Sequence, residues 1–158
     1  PAHTEAALNL ANTWLQEGKF ETAVKIYREA LEHDVESATL RRMLGFALFR
    51  KGDVDESIGA HEDAIRIDPL DLDAYRNLAI ILNTSGSYRQ ATIISARGLE
   101  KNAVHAGLLN THGMALWALG EKTKAEGELK KSVAAVDKIA AVEGLDAHGR
   151  SAAIRLEK

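Results

Sequence analysis

Large apolar, small and polar positions recur along this chain at a fixed offset of 34 residues. Leu10, Leu44 and Leu78 stand one period apart, with His112 in the fourth place. Ala11, Gly45, Ala79 and Gly113 follow them, and Trp14, Leu48, Leu82 and Leu116 share a third slot. A second run repeats Ala23, Ser57, Ala91 and Ala125, then Ala30, Ala64, Gly98 and Ser132, then Leu31, Ile65, Leu99 and Val133. Inside each period the apolar residues keep helical spacing, which predicts two amphipathic helices per repeat. The expected pairs run near 4–17 and 21–33, 37–51 and 54–67, 71–85 and 88–101, and 105–119 and 122–142.

Turn chemistry divides each pair. Gly18, Gly52, Gly86 and Gly120 are again 34 apart, and glycine suits the left-handed residue that closes a helix. Ser37 and Asp71 are expected N-caps. Small residues at the crossing slots let helices approach, so a larger side chain at Gly45 or Ala64 would overpack the contact at about 1–3 kcal/mol.

This pattern resembles the tetratricopeptide repeat, from about Thr4 to Val136. The second repeat carries it best in Leu44, Gly45, Gly52, Ala64 and Asp68-Pro69. The first has Trp14, Gly18, Ala23, Tyr27 and Ala30; the third keeps Tyr75, Leu78, Ala79, Gly86, Tyr88 and Ala91. The fourth departs furthest, with His112 in the leucine slot and Asp137 where the family often has proline. The resemblance implies an all-α fold, a right-handed α-α superhelix of four helix-turn-helix repeats. The repeats are placed at about 4–37, 38–71, 72–105 and 106–139, within one domain over 1–158. Gly144 interrupts the last helix and Asp146 is an expected cap for a further one to about Glu157. No glycine follows Gly120 by one period, so residues from about 140 to 158 read as a terminal helical cap.

In this family the first helices line a concave groove, at sites ten, nine, six, three and two residues before the turn glycine. Those sites here include Asn9, Asn12, Leu15, Arg42, Phe46, Phe49, Arg76, Asn77, Ile80, Asn83, Asn110, Thr111, Met114 and Trp117. The expected binding set is Asn9, Asn12, Arg42, Phe46, Phe49, Arg76, Asn77, Ile80, Asn110, Met114 and Trp117. Apolar side chains on an open face mark an interaction site. Asparagine amides pair both ways with a peptide backbone, and arginines hold carboxylates. The implied partner is a protein or peptide with apolar anchors and acidic groups. The two-carboxylate clamp of chaperone-tail binders in this family is incomplete: one frame offers Leu8, Asn12, Met43, Asp73 and Asn77, the next Arg42, Phe46, Asn77, Gly107 and Thr111.

Composition narrows the function classes. Hydrophobic residues make up 46% of the chain, much of it alanine, and aromatics 5%, which suits close-packed helices. Net charge is −3, against nucleic acid as the partner. There is no cysteine, so neither disulfides nor thiolate metal sites arise. None of the six histidines forms an HExxH-type pair, no lysine-bearing phosphate loop occurs, and the acid pairs Asp53/Asp55 and Asp71/Asp73 lie at helix starts, where they favour the positive helix end. His112 and His61 read as packed core histidines. The chain is therefore expected to be no enzyme and to need no cofactor or metal. It is read as a protein-interaction scaffold. The alternative is a structural or self-associating segment of a larger protein, since Pro1 and Lys158 look like the ends of an excised piece. No apolar run is long enough to span a membrane. The expected chain is soluble, in the cytoplasm or, with a signal removed, the periplasm or exterior.

Overall fold

The computed structural model describes the backbone of residues 2–143 and the side chains of residues 4–138. Eight helices occur among these residues: α1 (Ala2–Gln16), α2 (Phe20–His33), α3 (Ala38–Lys51), α4 (Val54–Ile67), α5 (Leu72–Thr84), α6 (Tyr88–Lys101), α7 (Ala106–Ala118) and α8 (Lys122–Glu143). They are the expected pairs, with ends displaced by two residues at most. The expected last helix near 146–157 lies outside the described residues.

The turns explain the period. Gly52 sits at φ 106°, and Gly18, Gly86 and Gly120 at 75°, 78° and 83°. With glycine in the left-handed region, the next amide folds back over the helix end. The amides of Lys19, Asp53, Ser87 and Glu121 thus donate to the carbonyls of Trp14, Leu48, Leu82 and Leu116, at 2.8–3.0 Å. This is the bonding of a Schellman cap. Ser37 and Asp71 cap as expected, accepting from the amides of Leu40 (3.4 Å) and Ala74 (3.1 Å).

The chain divides into two compact units, Pro1–Ile81 and Leu82–Lys158. The first unit packs α1, α2 and α3 around Ala11, Leu15, Ala23, Tyr27, Leu40, Leu44, Ala47 and Leu48. Burial pushes the Tyr27 phenol up to about 12; its hydroxyl donates to Asn12 Oδ1 at 2.7 Å. In the second unit α7 packs on both α6 and α8, and Ser132 of α8 donates to the Ala106 carbonyl at 2.9 Å.

The fourth repeat ends differently, for a local reason. Asp68 and Asn102 end α4 and α6, and their side chains accept from the amides of Leu70 (3.0 Å) and Val104 (3.2 Å). Such Asx turns compete with helix continuation. One period after Asn102 stands Val136, which has no oxygen to offer and is buried with Ala106 and Ala135. The helix therefore runs on to Glu143.

Candidate functional site

The expected groove residues fall on first helices of hairpins. Asn9 and Asn12 are on α1, Arg42, Phe46 and Phe49 on α3, Arg76, Asn77 and Ile80 on α5, and Asn110, Met114 and Trp117 on α7. The last three belong to the second unit.

In the first unit several of these side chains already have partners. Asn12 receives the Tyr27 hydroxyl. Arg42 Nε donates to Asp71 Oδ2 at 2.8 Å, both side chains largely buried. Arg76 pairs with Asp73 at 3.3 Å and reaches Asn77 Oδ1 at 3.5 Å. A carboxylate ligand would have to displace Asp71 or Asp73, so both arginines support the α3 and α5 faces first. Asn9 is exposed, while Phe46, Phe49, Asn77 and Ile80 are half-buried. Above Phe46 lies the Arg50 guanidinium, 5.8 Å from its centroid and 4.8 Å from that of Phe20.

The second unit leaves more surface open. Met114 and Trp117 are 56% and 50% exposed. Asn110 Nδ2 lies 4.0 Å from Met114 Sδ, and Lys122 Nζ lies 5.7 Å from the Trp117 ring centroid. A separate concavity of about 460 Å³ opens where α8 passes the start of α7, walled by Val104, Leu109, Ala134, Lys131 and Lys138.

Two sites expected on the groove are core instead. Leu15 is buried within the first unit's apolar cluster. Thr111 is buried and donates to the Gly107 carbonyl at 2.8 Å. Conversely, Leu10 stands in a packing slot yet is half-exposed.

Sequence reasoning also missed polar ties. His105 caps α7, its Nδ1 accepting from the Leu108 amide at 3.2 Å; the period held the clue, since Ser37, Asp71 and His105 are 34 apart. Asn83 Nδ2 donates to the Thr111 carbonyl at 3.1 Å, a tertiary contact with no local sequence signal. His112 Nδ1 lies 2.8 Å from Ser95 Oγ. Burial holds its pKa below the ordinary histidine value, against the pull of Glu128. Among the described residues no group of three or more histidine, aspartate or glutamate side chains is arranged to hold a metal ion, and no helix is long and apolar enough to cross a membrane.

The tetratricopeptide repeat profile matches residues 8–71 and again 42–103. The chain belongs to the tetratricopeptide repeat family. The crystal structure of MamA aligns over 87% of this chain and 81% of its own, with a TM-score of 0.79 and 22% identity. MamA 41-end from Desulfovibrio magneticus RS-1 aligns over 85% and 76%, with a TM-score of 0.75 and 17% identity. At such identities the likeness concerns the tetratricopeptide fold alone. A stretch of 83 residues, 51% of this chain, is 34% identical to the rhomboid protease GluP of Bacillus subtilis (strain 168). The chain spans 16% of that protein's length.

Proposed function

We propose that this tetratricopeptide repeat chain is a non-catalytic binding module that takes a peptide or protein segment on the faces of its first helices. The observation that carries the reading is the half-buried Phe46 ring beneath the Arg50 guanidinium. It joins an apolar anchor to a cation on a face also bearing Phe49. A ligand with one apolar and one acidic group fits that pair, because the ring gives contact area and the guanidinium a bidentate donor. Asn9 and Asn77 supply amides for a peptide backbone. Arg42, Arg76, Ile80, Asn110, Met114 and Trp117 complete the proposed set, with Asn12 holding its place through Tyr27.

Selection from a displayed peptide library tests this directly. Peptides enriched on the wild-type chain should carry apolar and acidic residues. They should lose about tenfold or more in affinity on Phe46→Ala or Phe49→Ala, and weaken on Arg76→Glu, with unchanged helical circular dichroism. Full affinity for these variants, with loss on the outer-face variant Arg66→Glu, would place the site elsewhere.

A second reading is a repeat segment serving an activity housed elsewhere in a longer polypeptide. It draws on the rhomboid protease relative, of which this chain spans 16%. A tethered catalytic domain whose substrate choice survives Phe46→Ala and Phe49→Ala would favour it.

A further inference from the structure

The fourth hairpin leaves open a space that the second and third fill with their own side chains. In the second, Arg41 of α3 donates to Asp63 of α4 at 2.9 Å and to the Val35 carbonyl at 3.1 Å. In the third, the buried Tyr75 of α5 stands in the place of Arg41, and its hydroxyl donates to the Pro69 carbonyl at 3.4 Å. One period after Tyr75, and two after Arg41, comes Leu109. Its side chain is shorter than either and has no polar atom. The Ala103 carbonyl, in the slot of Val35 and Pro69, has no side-chain donor among the described residues. What remains is the concavity of about 460 Å³ between α7 and α8, with Ala106, Leu109 and Ala135 buried among its walls and Val104 exposed at its edge.

The polar walls of this concavity offer donors. Two of them are the lysines Lys131 and Lys138, and none is an aspartate or glutamate. Lys131 stands in the slot of Asp63, so a cation holds the place of the acid that Arg41 meets in the second hairpin. Lys131 is shared with Glu128 at 2.8 Å, whereas Lys138 has no ion pair among the described residues. Asp137 is its chain neighbour, but adjacent residues of a helix do not face each other. Asn102 Oδ1 and His105 Nδ1 accept from the amides of Val104 and Leu108, which leaves Asn102 Nδ2 and His105 Nε2 to donate. We infer that the concavity binds a small aromatic carboxylate. Its ring takes the volume that Tyr75 fills one hairpin earlier, a hydroxyl on that ring donates to the Ala103 carbonyl, and the carboxylate meets Lys138. The volume lies in the range of small-ligand sites. The inference does not depend on the groove reading, since none of these walls belongs to the proposed peptide site.

Titrating the isotope-labelled full chain with para-hydroxyphenylpropionate, read by amide chemical shifts, tests this. The amides of Val104, Ala106, Ala134 and Ala135 should shift and saturate. Affinity should fall by about fivefold in Lys138→Gln, and by as much for the uncharged amide of the same probe, the worth of one exposed ion pair. Leu109→Tyr supplies the ring from the chain itself, as the third hairpin does, and should abolish binding with helical circular dichroism unchanged. Lys138→Gln, at an exposed position, keeps the test independent of how Leu109→Tyr folds. Equal affinity for the acid and its amide, or for the wild-type chain and Lys138→Gln, overturns the inference. So does binding that survives in folded Leu109→Tyr, or shifts that fall on Asn110, Met114 and Trp117 instead. A wild-type chain that does not respond overturns it too; the concavity would then belong to residues 144–158 or to a protein partner.

Discussion

His61 fills the space that a side chain at residue 45 would need. An ideal Cβ on Gly45 would fall on the ring, 2.5 Å from its Cε1 and as close to its Nδ1. The same helix pair is tied again at Ser57, whose hydroxyl donates to the Gly45 carbonyl at 2.6 Å. Its own carbonyl accepts from His61 Nδ1 at 2.8 Å. The glycine is thus half of a size-matched pair between α3 and α4. In the second unit Gly113 and Leu129 repeat the arrangement, where a Cβ would lie 2.8 Å from Leu129 Cγ.

Gly45→Ala should destabilise the chain by about 1–3 kcal/mol, because a well-packed backbone cannot retreat from the added methyl. In a His61→Ser background the same change should cost little, since the hydroxyl leaves room. A double-mutant cycle of urea midpoints should return a coupling of roughly 1 kcal/mol or more. Additive costs would mean that the ring and the glycine are independent.

Stability should fall on mild acidification. Burial is the main cause that lowers the His61 pKa from 6.5; Arg42 lowers it further, while the Ser57 carbonyl and Asp71 pull it up. Burial lowers that of His112 in the same way; Lys131 adds to this, opposed by Glu128, Glu121 and the Thr92 backbone. In the unfolded chain these rings protonate near the ordinary value; in the fold they do so only at lower pH. The unfolded state thus binds more protons over that interval. Their contribution is constant above the ordinary histidine range and is lost progressively as pH falls below it. The urea midpoint should be lower at about pH 5 than at about pH 8, and the difference should shrink in His61→Gln. An unchanged difference in that variant would assign the effect to other groups.

Asp71 has two roles that substitution can separate. One carboxylate oxygen accepts from the Ala74 amide at the start of α5, the other from Arg42 on α3. Asp71→Asn keeps a cap oxygen and loses the ion pair; Asp71→Ala loses both. The alanine variant should be less stable than the asparagine variant by about 1 kcal/mol, the worth of a helix cap. In an Arg42→Ala background, Asp71→Asn should be nearly neutral. Thermal midpoints of the four variants check both statements.

The sequence by itself determined the helices, their pairing and their turns. These follow from local rules: left-handed glycines at Gly18, Gly52, Gly86 and Gly120, caps at Ser37 and Asp71, and small residues at each crossing. Each rule recurs at the period, the turn glycine and the small crossing residue in all four repeats, so the period exposes it. The same rule also explains the long α8, since Val136 replaces the side-chain oxygen of Asp68 and Asn102. Only the tertiary structure decided which polar groups remain free. Arg42 meets Asp71 across 29 positions and Asn83 meets Thr111 across 28, distances at which no short-range pattern operates. Neighbours likewise decided burial. Leu10 and Leu44 occupy one slot, yet Leu44 is buried in the cluster that the first hairpin shares with α3, while Leu10 is half-exposed. A repeat fixes the kind of residue at each place, but its exposure depends on what lies against it.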